Sequence, residues 1–201
     1  MIIAITDRKN SLRPFLEQIE VVARSGPDMI ILREKDLPYN EYTALAEKCA
    51  RICSDHRVGF CVNSFTDTAV ELGIRNIQLP LHLFIGERPF RGYNMVLVSV
   101  HSALEAVKAE SLGADALLYG NVFETSCKPG ASAKGIGALK EVCESVDIPV
   151  LGLGGINDDN IGEVIGAGVD GVCLMSGFMR AEDPSAMVRA YSAALLANAR
   201  M

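Results

Sequence analysis

The stretch MVLVSVHSALEAVKAESLGADALLYG, residues 95–120, decides the fold. Residues 95–101 form a largely apolar run rich in valine. Residues 103–112 set apolar side chains at helical spacing, and residues 116–120 form a second apolar run. A strand, a helix and a strand in that order make a parallel pair joined by a right-handed crossover. Runs that stay apolar along most of their length, without strict alternation, belong to strands covered on both faces.

The same unit repeats outward in both directions. Apolar runs at 2–6, 29–33, 58–63, 76–79, 150–154 and 171–175 bring the strands to eight. Helical patterns at 12–25, 39–55, 66–72, 136–145, 157–167 and 184–197 separate them; only a weak stretch, 81–91, follows the fourth run. Eight such units predict an α/β fold, a (β/α)₈ TIM barrel forming one domain over residues 1–201. The competing arrangement is an open doubly wound sheet. That fold carries GxGxxG at its first strand-to-helix turn when it binds a dinucleotide, and no such motif stands there.

Composition narrows the function. Apolar residues make up 49% of the chain, enough to fill a barrel and its helical coat. The net charge of −6 comes without a basic cluster, which argues against nucleic acid as a partner. No apolar stretch reaches the length of a membrane span, and the opening run is too short for a signal peptide. The six cysteines, Cys49, Cys53, Cys61, Cys127, Cys143 and Cys173, form no CxxC pair and lie mostly in apolar segments. They read as reduced thiols of a cytoplasmic protein.

In such a barrel, chemistry sits where the strands run out into the following loops. The seventh run ends in Gly154 and Gly155, and the eighth in Ser176 and Gly177. Backbone there can approach a ligand closely and offer N–H groups to a phosphate. The second run ends in Arg33, Glu34 and Lys35; Arg33 and Lys35 share one side of an extended chain and suit an anion, with Glu34 facing elsewhere. Asn63 and Ser64 end the third run, one as a ligand contact and the other as the cap of the next helix. His101 ends the fifth, with an imidazole able to act as acid or base. The long loop 121–134 after the sixth run holds Asn121, Glu124, Thr125, Ser126, Cys127 and Lys128. Thr125 and Lys128 suit an anion. Glu124 and Cys127 are further candidates for proton transfer; a neighbouring lysine favours the Cys127 thiolate.

These segments together resemble the thiamine-phosphate synthase/TenI superfamily. The residues that carry the resemblance are Ile5-Thr6-Asp7, Leu32-Arg33-Glu34-Lys35, Gln78-Leu79-Pro80, Ser99-Val100-His101-Ser102, Gly113-Ala114-Asp115, Val122-Phe123-Glu124-Thr125 with Cys127-Lys128, and Gly154-Gly155-Ile156. They span nearly the whole chain. The Gln-Leu-Pro and Phe-Glu-Thr-x-Cys-Lys segments look most like the TenI branch. That branch implies a thiazole tautomerase of thiamin biosynthesis, which aromatises a carboxythiazole phosphate by moving a proton, with no metal and no cofactor. The synthase branch implies a magnesium-dependent joining of hydroxymethylpyrimidine pyrophosphate to thiazole phosphate. Its two metal-binding aspartates have no counterpart: Ser64 follows Asn63, and no carboxylate follows the fourth run until Glu87. Its glutamine before Leu-Arg is Ile31. The TenI histidine after the glycine that ends strand six is Asn121, an amide that can hydrogen-bond substrate but cannot relay a proton. His101 and Cys127 are the substitutes for that role. A regulatory protein that binds thiazole phosphate without turnover, alone or as a homo-oligomer, is the remaining reading.

Overall fold

All eight runs enter one sheet. The computed structural model describes residues 1–86, 92–125 and 132–198. The strands are β1 (Ile2–Ile5), β2 (Met29–Leu32), β3 (Gly59–Asn63), β4 (Asn76–Pro80), β5 (Met95–Val100), β6 (Ala116–Gly120), β7 (Val150–Leu153) and β8 (Gly171–Leu174). Each pairs in parallel with the next, and β8 returns to β1, closing the (β/α)₈ barrel. Among the described residues seven α-helices lie between strands: α1 (Phe15–Arg24), α2 (Tyr39–Asp55), α3 (Thr66–Glu71), α4 (Leu81–Gly86), α5 (Ala103–Ser111), α6 (Gly135–Ser145) and α7 (Ile161–Gly166). Two more, α8 (Ser176–Met179) and α9 (Ser185–Asn198), follow β8. No helix among the described residues is long and apolar enough to cross a membrane.

The two-residue alternation of each strand builds two separate apolar layers. Outward side chains such as Ile30, Leu32, Val62, Val98 and Tyr119 pack beneath the helices. Inward side chains fill the barrel: Ile3, Ile5, Met29, Ile31, Cys61, Leu97, Ala116, Leu118, Leu151 and Cys173. The same inward phase carried further along the strands reaches Arg33, Asn63, Gln78, Ser99 and His101, so the floor is apolar and the mouth polar. The alternation is masked in the sequence because both phases are apolar below the mouth.

The differences from expectation have local causes. The first helix begins at Phe15 and not at residue 12, because Pro14 before it is extended (ψ 131°). The seventh begins at Ile161 and not at residue 157. Asn157 Oδ1 there accepts from Asp159 N–H and Asn160 Oδ1 from Asn157 N–H, both at 2.9 Å. Such side-chain turns compete with the helical ladder. Neither Asn63 nor Ser64 caps α3. Phe65 holds the cap position, without a side-chain cap bond, and stacks on Tyr42 with ring centroids 3.7 Å apart. The weak stretch after β4 yields α4, and residues 87–91, including Glu87, lie outside the described residues. The short α8 gave no periodic signal, being a single turn.

Candidate functional site

At the C-terminal end of the barrel lies a cavity of about 250 Å³. Ten of the twelve residues singled out from the sequence line it together: Arg33, Lys35, Asn63, His101, Asn121, Thr125, Gly154, Gly155, Ser176 and Gly177. The other two, Cys127 and Lys128, lie outside the described residues, as does Ser126. Below them Ile5, Leu118 and Cys173 form an apolar floor. Among the described residues the lining carries two cations, amides, hydroxyls and one imidazole, but no carboxylate. A concave site with that charge balance favours an anionic ligand.

His101 is exposed at the mouth. Its Nδ1 lies 2.7 Å from the main-chain oxygen of Gly120, which can only accept, so Nδ1 carries the proton. In the neutral ring Nε2 is then the lone-pair atom, and it is the one left to act as a base.

Asn121, by contrast, is buried, and its Nδ2 donates to the Phe123 carbonyl at 3.1 Å. It stands at the root of a loop that extends the sheet past β6: Val122 N–H donates to Leu153 O (2.9 Å) and Phe123 N–H to Gly154 O (3.0 Å). The far end returns to the same place, with Lys134 N–H bonded to Asn121 O (3.1 Å) and Gly135 N–H to Val122 O (2.9 Å). This packing accounts for the glycines opposite. Gly154 has φ +100° and Gly155 φ +68°. A Cβ on Gly154 would sit 2.6 Å from Asn121 Cβ, and one on Gly155 2.5 Å from Glu124 O. They are glycines because the loop lies against them, whatever ligand they also meet.

Glu34 does turn away from the mouth. It is buried, accepts from Thr6 Oγ1 (2.7 Å) and Arg8 N–H (3.0 Å), and faces Arg8 Nε at 3.5 Å. Thr6 Oγ1 in turn accepts from Arg33 N–H at 2.9 Å. The loops after β1 and β2 are thereby tied together beneath Arg33 and Lys35. Burial pushes the Glu34 carboxyl up, with the Thr6 and Arg8 bonds pulling less strongly the other way. A carboxyl raised in the folded state contributes stability that is complete below its unfolded pKa and is lost as pH rises through the folded one. Denaturant unfolding of Glu34→Gln beside the unsubstituted protein, from about pH 4 to pH 7, is expected to show the native glutamate's relative advantage shrinking as pH rises. A pH-independent difference would mean that burial does not shift this group.

Sequence reasoning passed over Gln78 and Ser99 as site residues. Both line the cavity beside Asn63. The available signal was a polar residue at the inward phase of an apolar strand, within its last three residues. Among the described residues Cys49, Cys53, Cys61 and Cys173 are buried, and burial pushes each of those thiols up, away from proton-transfer duty near neutrality.

Magnesium takes oxygen ligands, usually including carboxylates. Among the described residues no three His, Cys, Asp or Glu side chains gather, and the lining offers only neutral oxygen donors beside two cations. That donor set does not fit a magnesium site.

A family profile described as thiamine monophosphate synthase matches residues 2–178. The chain is similar to thiamine-phosphate synthase 2 of Streptococcus pneumoniae, 33% identical over 194 residues that cover 93% of this chain and 91% of the relative. It is 35% identical to a thiamine-phosphate synthase of Pyrococcus furiosus over 181 residues, 89% of this chain and 86% of that one. Among solved structures, a thiamine phosphate pyrophosphorylase from Pyrococcus furiosus superposes with a TM-score of 0.84 at 30% identity, over 98% of this chain and 96% of that chain.

Proposed function

The chain belongs to the thiamine monophosphate synthase family, and on that premise we propose that it binds a thiazole phosphate at the barrel mouth and aromatises the ring by proton transfer. One observation carries this reading: a cationic lining, without a carboxylate among the described residues, that surrounds an imidazole anchored through Nδ1. Arg33 and Lys35, with the backbone of Gly154, Gly155, Ser176 and Gly177, hold the phosphate; Thr125 borders it. His101 Nε2 removes the proton from the ring carbon, whose C–H pair becomes a ring double bond. The imidazolium returns a proton to the exocyclic carbon as the exocyclic double bond opens. No atom is gained or lost, and no metal is required. Asn121 shapes the loop and takes no proton.

The relatives' names favour a second reading, formation of thiamin phosphate from a pyrimidine pyrophosphate and a thiazole phosphate. The donor set weighs against it, since that reaction in the family relies on magnesium. Two assays on the purified protein decide between them. Aromatisation of carboxythiazole phosphate, followed by NMR, is expected to exceed the buffer rate in the presence of a chelator. Magnesium-dependent appearance of thiamin phosphate instead would put the second reading in its place. Binding of thiazole phosphate with neither activity would leave a non-catalytic, regulatory protein.

A further inference from the structure

On the β3 side of β2, Gly59 N–H donates to Asp28 O at 3.0 Å. A parallel ladder repeats every two residues along each strand, and that repeat leads to a rung between Asn63 N–H and Leu32 O. The direct rung is not made. Asn63 N–H donates to Tyr42 Oη (3.2 Å), which donates onward to Leu32 O (2.6 Å). The paired register stops at Leu32 and Val62. On the β1 side, Thr6 N–H donates to Ile31 O at 3.0 Å, and the next rung would join Arg33 N–H to Thr6 O. Arg33 N–H goes instead to the Thr6 hydroxyl at 2.9 Å, which donates to Glu34 Oε1. A side-chain hydroxyl therefore takes the last rung on each side of β2, where the strand delivers Arg33. Tyr42 and Thr6 are both buried, and neither lines the cavity.

We propose that Tyr42 and Thr6 are positioning residues for Arg33, their hydroxyls parting the end of β2 from its neighbours and setting the reach of the guanidinium toward the glycines of the β7 and β8 loops. This rests on Arg33 as the anion contact of the proposed function and on no part of the proton transfer. A hydroxyl between a donor and an acceptor keeps two main chains farther apart than a direct bond does. Without the Tyr42 hydroxyl, Asn63 N–H and Leu32 O are buried and unpaired, which is costly. Closing β3 onto β2 pairs them and draws Arg33 away from β8, which lies beyond β1. Without the Thr6 hydroxyl, Arg33 N–H loses its acceptor.

The test is a mutant cycle read by calorimetric binding of inorganic phosphate. Tyr42→Phe keeps the ring and its stack on Phe65 and removes only the hydroxyl. Its Kd is expected to rise roughly tenfold, as for a weakened hydrogen bond to a charged group. Its crystal structure should show Asn63 N–H bonded directly to Leu32 O at about 2.9 Å. In an Arg33→Ala background the same substitution should change Kd by less than about twofold, because the group it places is gone. A Kd for Tyr42→Phe within about twofold of the unsubstituted protein overturns the proposal. An equal loss with and without Arg33 also overturns it, since a merely structural tyrosine would behave that way. Should Tyr42→Phe not fold, Thr6→Val enters the same cycle with the same criteria. Arg33→Ala alone tests the anion contact, and aromatisation is assayed separately, so a failure of either is told apart from a failure of the positioning.

Discussion

Replacing His101 with alanine is expected to slow aromatisation by about 10²–10⁴-fold, with a much smaller change in KM. The argument starts from the ring's setting. His101 stands just past the end of β5 at the exposed rim; its ring is held from Nδ1 by the Gly120 carbonyl, while its main-chain N–H, which alanine keeps, donates to Glu105 Oε2 at 2.6 Å. Loss of the ring leaves that carbonyl within reach of water, so the barrel should persist and thermal unfolding should change little. The expected signature is therefore a fall in kcat on an intact fold. His101→Gln, which keeps a side-chain donor within reach of Gly120 O but has no base, should be as inactive as the alanine variant. Activity within a few-fold of the unsubstituted protein would remove His101 from the mechanism. It would also turn attention to Cys127, the other sequence candidate.

The second large effect is on stability. Gly154→Ala requires a side chain at φ +100°, and its new methyl would lie 2.6 Å from Asn121 Cβ and 2.9 Å from Asn121 Cα. One of these is main chain, so no rotamer change relieves it. Backbone strain and overpacking together are expected to cost about 2–4 kcal/mol, read as a drop in Tm of roughly 5–15 °C. Gly177→Ala is the control. The nearest atom to its methyl would be the Met187 sulfur at 3.4 Å, the flexible end of a side chain, and its unfolding should move by less than about 1 kcal/mol. If the two variants unfold alike, the contact between Gly154 and the β6 loop is not what constrains this glycine.

The fold was legible because each strand is apolar over enough length to announce itself, and because helices of ordinary length separate the runs. Ile30 and Ile31 face opposite layers yet look the same in sequence, since one packs under helices and the other fills the barrel. The same sameness concealed the register at the mouth. Arg33, His101, Gly154 and Ser176 were found because they are unusual residues at strand ends. Gln78 and Ser99 were missed because each stands within its strand, where an apolar neighbourhood reads as core. Glu34 was placed on the correct side by alternation alone, but its partners Thr6 and Arg8 lie on a different strand and loop. That pairing depends on β1 and β2 being neighbours, which follows only once the barrel is closed. Asn121 looked like a substituted catalytic residue; its packing against Gly154 shows what else the position must satisfy.

The four main-chain bonds at the root of the β6 loop separate two kinds of inheritance. Residues 122 and 123 are stitched to Leu153 and Gly154 on one side, and residues 134–135 are stitched back to 121–122 on the other. The barrel is thus indifferent to how many residues run between those fastenings. Each doubling of the span adds only about 0.6 kcal/mol of closure entropy, and none of it is felt by the strands. The segment beyond Thr125, which carries Cys127 and Lys128, can therefore be lengthened, shortened or exchanged as a cassette. A lineage that keeps one scaffold while trading one thiamin-precursor reaction for another would find its most permissive place for change in that interval.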